Sequence, residues 1–146
     1  MKLLTIAIPS YNSENYLGKC IESLLPGGED VEILVVNDGS KDNTSAIGHE
    51  YEAKYPGIVK VIDKENGGHG SAVNAGVEHA TGLFFKVVDS DDWVKKSAYL
   101  DILDKLRDFA GSDVILDMLI SNFVYEKEGA DKKKVMKYEK KEERDS

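Results

Sequence analysis

Asp89, Ser90, Asp91 and Asp92 set three carboxylates within four consecutive residues. Like charges this close repel, and a fold keeps them together only where something offsets the repulsion. A divalent cation would do so, and hard carboxylate oxygens suit Mg²⁺ or Mn²⁺. In extended backbone, residues two apart point the same way. Asp89 and Asp91 are therefore expected to face one pocket, with Asp92 turned elsewhere, toward a backbone amide or a positive group. The competing reading is a helix start, where aspartate caps free N–H groups and suits the helix dipole.

Three other clusters carry chemistry. Asp38, in Asn37-Asp38-Gly39-Ser40, ends a run of β-branched residues. Its carboxylate can accept hydrogen bonds from a base N–H or a ribose hydroxyl; the alternative is an Asx turn leading into a helix. In Pro9-Ser10-Tyr11-Asn12, Tyr11 offers a flat face to a nucleobase. Stacking of that kind is worth about 1–3 kcal/mol in single-strand binding sites. The plainer reading is a tyrosine packed on the sheet edge.

Gly67, Gly68 and Gly70 open a helix, where free amides favour an anion such as phosphate. The run is not a dinucleotide fingerprint, because Val73 stands where the third glycine belongs. Nor is it a phosphate loop, since no Gly-Lys-Ser/Thr follows. His69 reads as a loop residue facing solvent, with a phosphate contact as the alternative. Asn74 lies on the polar side of its helix, where it either contacts a nucleotide or only covers polar surface. Cys20, on an apolar helix face, reads as core. Trp93 either shapes a sugar pocket or packs in the core.

The elements that must position these residues alternate. Leu3 to Ile8 reads as a first strand, ended by Pro9. Ser13 caps a helix whose apolar face is Leu17, Cys20, Ile21, Leu24 and Leu25, closed by Pro26, Gly27 and Gly28. Val31 to Val36 is continuously apolar apart from Glu32, as expected of a strand buried on both faces. A second helix ends before Pro56, and Ile58 to Ile62 is the third strand. After the glycine turn, a helix carries Val73, Gly76, Val77 and Ala80 on one face. Leu83 to Val88 is the fourth strand and runs straight into Asp89. A helix striped by Leu100, Leu103 and Leu106 stops near Gly111. Val114 to Tyr125 and Val135 to Tyr138 read as further strands around a turn at Gly129, with Lys132, Lys133 and Lys134 in a solvated hairpin. Residues 139–146 read as a charged, frayed tail.

Such alternation predicts an α/β, Rossmann-like domain: a mostly parallel sheet with helices on both faces. Ligands bind such sheets at the carboxyl ends of the strands. The polar clusters fall there, after strands one, two and four.

Composition agrees with one globular domain over residues 1–146. With 41% hydrophobic and 32% charged residues, the chain is not of a disordered type. Its net charge of −8 argues against nucleic-acid binding, which requires cations to neutralise phosphates. A single cysteine precludes an intrachain disulfide. The sequence shows neither a signal peptide nor an apolar run of the roughly 18 residues a membrane span needs. A cytoplasmic location is expected, including the inner membrane face through a segment outside this chain.

Taken together, these motifs resemble the family 2 glycosyltransferases of the GT-A fold. Four segments carry the resemblance, in order and spacing, between about Leu3 and Asp92. They are Ile8 to Asn12; Val36 to Ser40 with Asp42 and Thr44; Asn66-Gly67-Gly68 through Asn74, Gly76 and Ala80-Thr81-Gly82; and Val88 to Trp93. The resemblance implies a metal-dependent inverting transferase, moving a sugar from a nucleoside-diphosphate donor, UDP above all, to a glycan or cell-surface polysaccharide. Tyr11 would stack on the base and Asp38 would hydrogen-bond it. Pro9, Asn12, Gly68, Asn74 and Ser90 would complete the donor site. Asp89 would contact the ribose or sugar, and Asp91, with Asp89 beside it, would hold Mn²⁺ or Mg²⁺.

Two departures stand out. Many members carry arginine where this chain has Val73. The family's base lies well beyond the metal motif, and Asp113, Asp117, Glu126 and Glu128 lack its context. The base is therefore expected beyond Ser146, in a longer protein of which this chain is the donor-binding part. A non-catalytic nucleotide-binding module is the alternative. Nucleotidyl transfer fits less well, because Ser10 to Lys19 holds neither Gly-x-Gly nor arginine.

Overall fold

The computed structural model describes residues 2–110. The elements run β1 (Leu4–Ser10), α1 (Leu17–Leu24), a 3₁₀ turn (Leu25–Asp30), β2 (Val31–Asp38), α2 (Thr44–Lys54), β3 (Val59–Lys64), α3 (His69–His79), β4 (Phe84–Val87) and α4 (Lys96–Phe109). The expected strands and hairpin beyond Gly111 lie outside the described residues.

The four strands form a parallel sheet in the order β3-β2-β1-β4. From β1 the chain winds outward through β2 to β3. It then crosses back over the sheet through α3 and lays β4 on the other side of β1. The winding direction thus reverses between β1 and β4, and loops diverge there to leave a crevice at the carboxyl ends. Register pairs Leu4 with Val31 and with Phe84, so the ends of β1, β2 and β4 come level.

Side-chain alternation explains the two layers. Leu4, Ile6 and Ile8, with Val31, Ile33 and Val35, join the core formed with Leu17, Ile21 and Leu24 of α1 and Leu103 and Leu106 of α4. Ile47 and Tyr51 of α2 pack against the same core. The opposite face carries α3, where a Cβ on Gly76 would meet Ala7 Cβ at 2.7 Å. Every residue of β2 is buried, as expected of the Val31 to Val36 run, and so is every residue of β1.

Local details differ from the sequence pattern. The Ser13 hydroxyl does not cap α1, which begins at Leu17 with no side-chain cap bond; only its carbonyl serves, accepting from the Tyr16 and Leu17 N–H groups. On α3 the buried face is Ala72, Val73 and Gly76, while Val77 is exposed, because the single sheet contact of a short helix covers a narrow stripe. Leu25 falls in the 3₁₀ turn rather than in α1. No described helix is long and apolar enough to cross a membrane.

The amino end of the sheet is closed by a buried carboxylate. Glu32 is 1% exposed. Its Oε1 accepts from Thr5 Oγ1 at 2.8 Å and from the Thr81 N–H at 2.9 Å, and Lys60 Nζ lies 3.4 Å from Oε2. Thr5 Oγ1 in turn accepts from the Gly82 N–H at 2.8 Å. Thr81 and Gly82 therefore brace the scaffold at the end of the sheet away from the polar clusters. Glu32→Ala should destabilise the fold by about 2–4 kcal/mol, since it strands the buried Thr5 hydroxyl and leaves the Thr81 N–H without its acceptor; urea unfolding would measure it. Burial pushes the Glu32 carboxyl up, but the bonds from Thr81, Thr5 and Lys60 outweigh burial and leave it below its ordinary 4.5. Its contribution is therefore complete above pH 4.5 and is lost as pH falls through the lowered folded value. Glu32→Gln should flatten that acid limb.

Candidate functional site

The loops after β1, β2 and β4 converge at the carboxyl end of the sheet. The first two are clasped together. Asn12 takes a left-handed backbone, φ 49°, which brings its N–H to Ser40 Oγ at 2.9 Å and its Oδ1 to the Lys41 N–H at 2.8 Å. The Ser13 N–H donates to Thr44 Oγ1 at 2.7 Å, and Thr44 is fixed in turn by Asp42. This clasp leaves Tyr11 49% exposed, at the edge of a cleft of roughly 260 Å³. Pro9, Ser10, Asp38, Asn66, Gly68, His69 and Ala72 complete the lining. Asn74 is exposed on α3 and is not among the lining residues.

Asp38 has a second role that its sequence context does not reveal. Its Oδ1 accepts from Lys64 Nζ and from the Gly67 N–H, each at 2.9 Å. Its Oδ2 accepts from the Gly68 N–H at 2.9 Å and from Asn66 Nδ2 at 3.4 Å. Four donors match the roughly four lone-pair directions of a carboxylate. The amides of Gly67 and Gly68, expected to be free for an anion, are thus committed to Asp38. Burial pushes the Asp38 carboxyl up, yet Lys64, Gly67 and Gly68 together hold it below the ordinary carboxylate range. Asp38 pins the glycine turn beneath the cleft. Of its side-chain partners, Asn66 opens a segment that carries the family resemblance, while Lys64, at the end of β3, belongs to no motif of the sequence.

The acidic segment is a turn rather than an extended strand end. The Asp92 N–H donates to the Asp89 carbonyl at 3.0 Å. The turn gathers all three carboxylates: one oxygen each from Asp89, Asp91 and Asp92 lie within 4.8 Å of one another. Asp92 therefore joins the group instead of turning away, because closing the turn breaks the two-residue alternation. Asp89 and Asp92 are buried and Asp91 is exposed. A helix-cap role is excluded, since α4 starts at Lys96 with Lys95 before it. Three hard oxygens in one partly buried turn fit a divalent cation of the Mg²⁺ or Mn²⁺ kind.

Neighbours hold this turn in place. His69 Nε2 lies 3.1 Å from Asp89 Oδ1, so His69 faces the acidic turn and the cleft rather than open solvent. Cys20 Sγ is 3.6 Å from the Asp89 carbonyl. Burial, and then the charges of Asp92, Asp89 and Asp91, push its thiol well up, which keeps it an inert core group. Ser90 shares a hydrogen bond with Ser13, Oγ to Oγ 2.6 Å. Trp93 is half-buried and carries Lys19 Nζ 3.7 Å from its ring centroid.

Comparison with known proteins points one way. The model of glycosyl transferase family 2 matches residues 5–144. The Bacillus subtilis protein EpsH is 38% identical over 130 residues, covering 88% of this chain and 36% of its own length. Glycosyltransferase GlyA of Streptococcus pneumoniae is 39% identical over 103 residues, 70% of this chain and 14% of GlyA. Among solved structures, S. aureus TarS 1-349 in complex with UDP-GlcNAc superposes with a TM-score of 0.65 at 34% identity, covering 75% of this chain and 32% of that one. The sheet is accordingly of the GT-A, Rossmann-like kind. This chain spans about a third of the length of EpsH and of the TarS structure.

Proposed function

Because this chain belongs to glycosyl transferase family 2, we propose that it forms the donor side of an enzyme transferring a sugar from a nucleoside diphosphate, UDP above all, to a glycan acceptor. The observation that carries the reading is the juxtaposition of three carboxylates at the end of β4 with a cleft edged by an exposed tyrosine at the end of β1. The UDP-GlcNAc complex of TarS supports the choice of donor.

In this reading Tyr11 stacks on the base, over a cleft floored by Pro9 and Gly68. Asp38 hydrogen-bonds the base once Lys64, whose ammonium is readily rehydrated, exchanges out of its position. Asn12 positions Tyr11, and Asn74 meets the donor from α3. Asp89, steadied by His69, receives the ribose or sugar hydroxyls, with Ser90 beside it. Asp91, the exposed carboxylate, and Asp89 hold the cation. When bound, the cation would supply Lewis-acid neutralisation of the departing diphosphate. Displacement at the anomeric carbon inverts its configuration, with a carboxylate accepting the acceptor's proton.

Titration calorimetry with UDP, with and without Mn²⁺, tests the reading. Binding is expected, tighter with Mn²⁺, and Tyr11→Ala should weaken it roughly tenfold, by the stacking energy of one base. No binding under either condition, or binding indifferent to Mn²⁺ and to Tyr11, would overturn it.

A further inference from the structure

Ser13 has no part in the donor contacts proposed above, yet it stands where the three loops meet. It is 5% exposed. Its N–H reaches Thr44 at the start of α2, and its carbonyl accepts from the first N–H groups of α1. Its hydroxyl lies 3.3 Å from the Tyr11 carbonyl and 2.6 Å from Ser90 Oγ. With Ser13 donating to Tyr11, Ser90 is the donor to Ser13, and both hydroxyls are satisfied.

We infer that Ser13 is a positioning residue that holds the acidic turn in its cation-binding shape through Ser90. The inference rests on the donor-site reading. Ser90 sits between Asp89 and Asp91, in a turn whose carboxylates repel one another. Without a cation that repulsion drives the turn to open. Tethering the turn's middle residue to Ser13, whose own backbone is held by Thr44 and by the start of α1, opposes the opening, so the oxygens stay gathered before a cation arrives. Pre-organisation of this kind lowers the cost of binding. The same bond ties the turn to the Tyr11 backbone, and so fixes the distance between the base-stacking face and the carboxylates.

The test compares UDP affinity with and without Mn²⁺ for the wild-type chain, Ser13→Ala, Ser90→Ala and the double variant, alongside their melting temperatures. Supporting partners of a metal site are commonly worth 10–100-fold in metal affinity. Each single variant should therefore lose about tenfold of the strengthening that Mn²⁺ confers. For Ser13→Ala, which lies outside the donor contacts, metal-free UDP binding should stay within about twofold, and the double variant should lose no more of the Mn²⁺ effect than a single one, because one shared bond is removed. Ser13→Thr, which keeps the hydroxyl, should restore the Mn²⁺ effect. If both single variants keep the full Mn²⁺ effect, or Ser13→Ala loses metal-free and metal-dependent binding in equal measure, Ser13 has no such role. If Mn²⁺ does not strengthen UDP binding to the wild-type chain, the donor-site reading itself fails and takes this inference with it.

Discussion

Asp91→Ala is expected to abolish the strengthening of UDP binding by Mn²⁺ while leaving the fold intact. Asp91 is exposed and its two neighbours in the cluster are buried, so its removal opens no cavity. The melting temperature without metal should stay the same or rise slightly, because one of three mutually repelling charges is gone. Partners that merely support metal ligands are worth 10–100-fold in affinity, so loss of a ligand should cost on the order of 100-fold or more. Calorimetry and thermal shift with UDP and Mn²⁺ read both quantities. Asp91→Asn separates charge from shape: it keeps one oxygen and the turn geometry, and should still lose most of the effect. An unchanged Mn²⁺ response in both variants would remove Asp91 from the site.

The second large effect is expected at Gly39. This residue follows Asp38 with φ at +72°, and a Cβ there would stand 2.6 Å from the Asn66 backbone nitrogen. Gly39→Ala therefore combines about 1–2 kcal/mol of left-handed strain with roughly 1–3 kcal/mol for forcing backbones apart. At about 2–4 °C per kcal/mol for a chain of this size, melting should fall by roughly 5–15 °C. Gly57 is the control: its φ is +84°, but a Cβ would meet nothing within 4 Å. Gly57→Ala should show the strain alone. The difference between the two variants isolates the contact between the end of β2 and the turn before α3. Because Asn66, Gly67 and Gly68 all bond Asp38 across that contact, Gly39→Ala should also weaken UDP binding beyond what its stability loss explains. Equal effects at Gly39 and Gly57 would show that the contact relaxes without cost.

What the sequence determined by itself is periodic or contiguous. The β-branched run from Val31, the alternation of strands with helices and the polar residues at three strand ends are local patterns. They decide a parallel sheet and which end of it is polar, because strand burial and helix amphipathicity repeat at fixed spacing. The dense aspartates after β4 and the flat ring after β1 were legible for the same reason: their chemistry lies within a few residues.

Tertiary structure decided how those residues are used. Ser13 looked like a helix cap, and its hydroxyl instead bonds Ser90, 77 residues away. His69 looked like a solvent-facing loop residue, and it meets Asp89. The glycine amides looked free for an anion, and they fill the carboxylate of Asp38. Asp92 was expected to turn aside, and a hydrogen bond four residues long folds it into the cluster. Thr81 and Gly82, part of a segment that resembles a family motif, brace the far end of the sheet through Glu32 and Thr5. In each case a polar group, side chain or backbone, has several partners within reach, and sequence spacing alone does not choose among them. The choice falls to whichever donor or acceptor the sheet's winding brings within about 3 Å, since a buried polar group must be satisfied by what surrounds it.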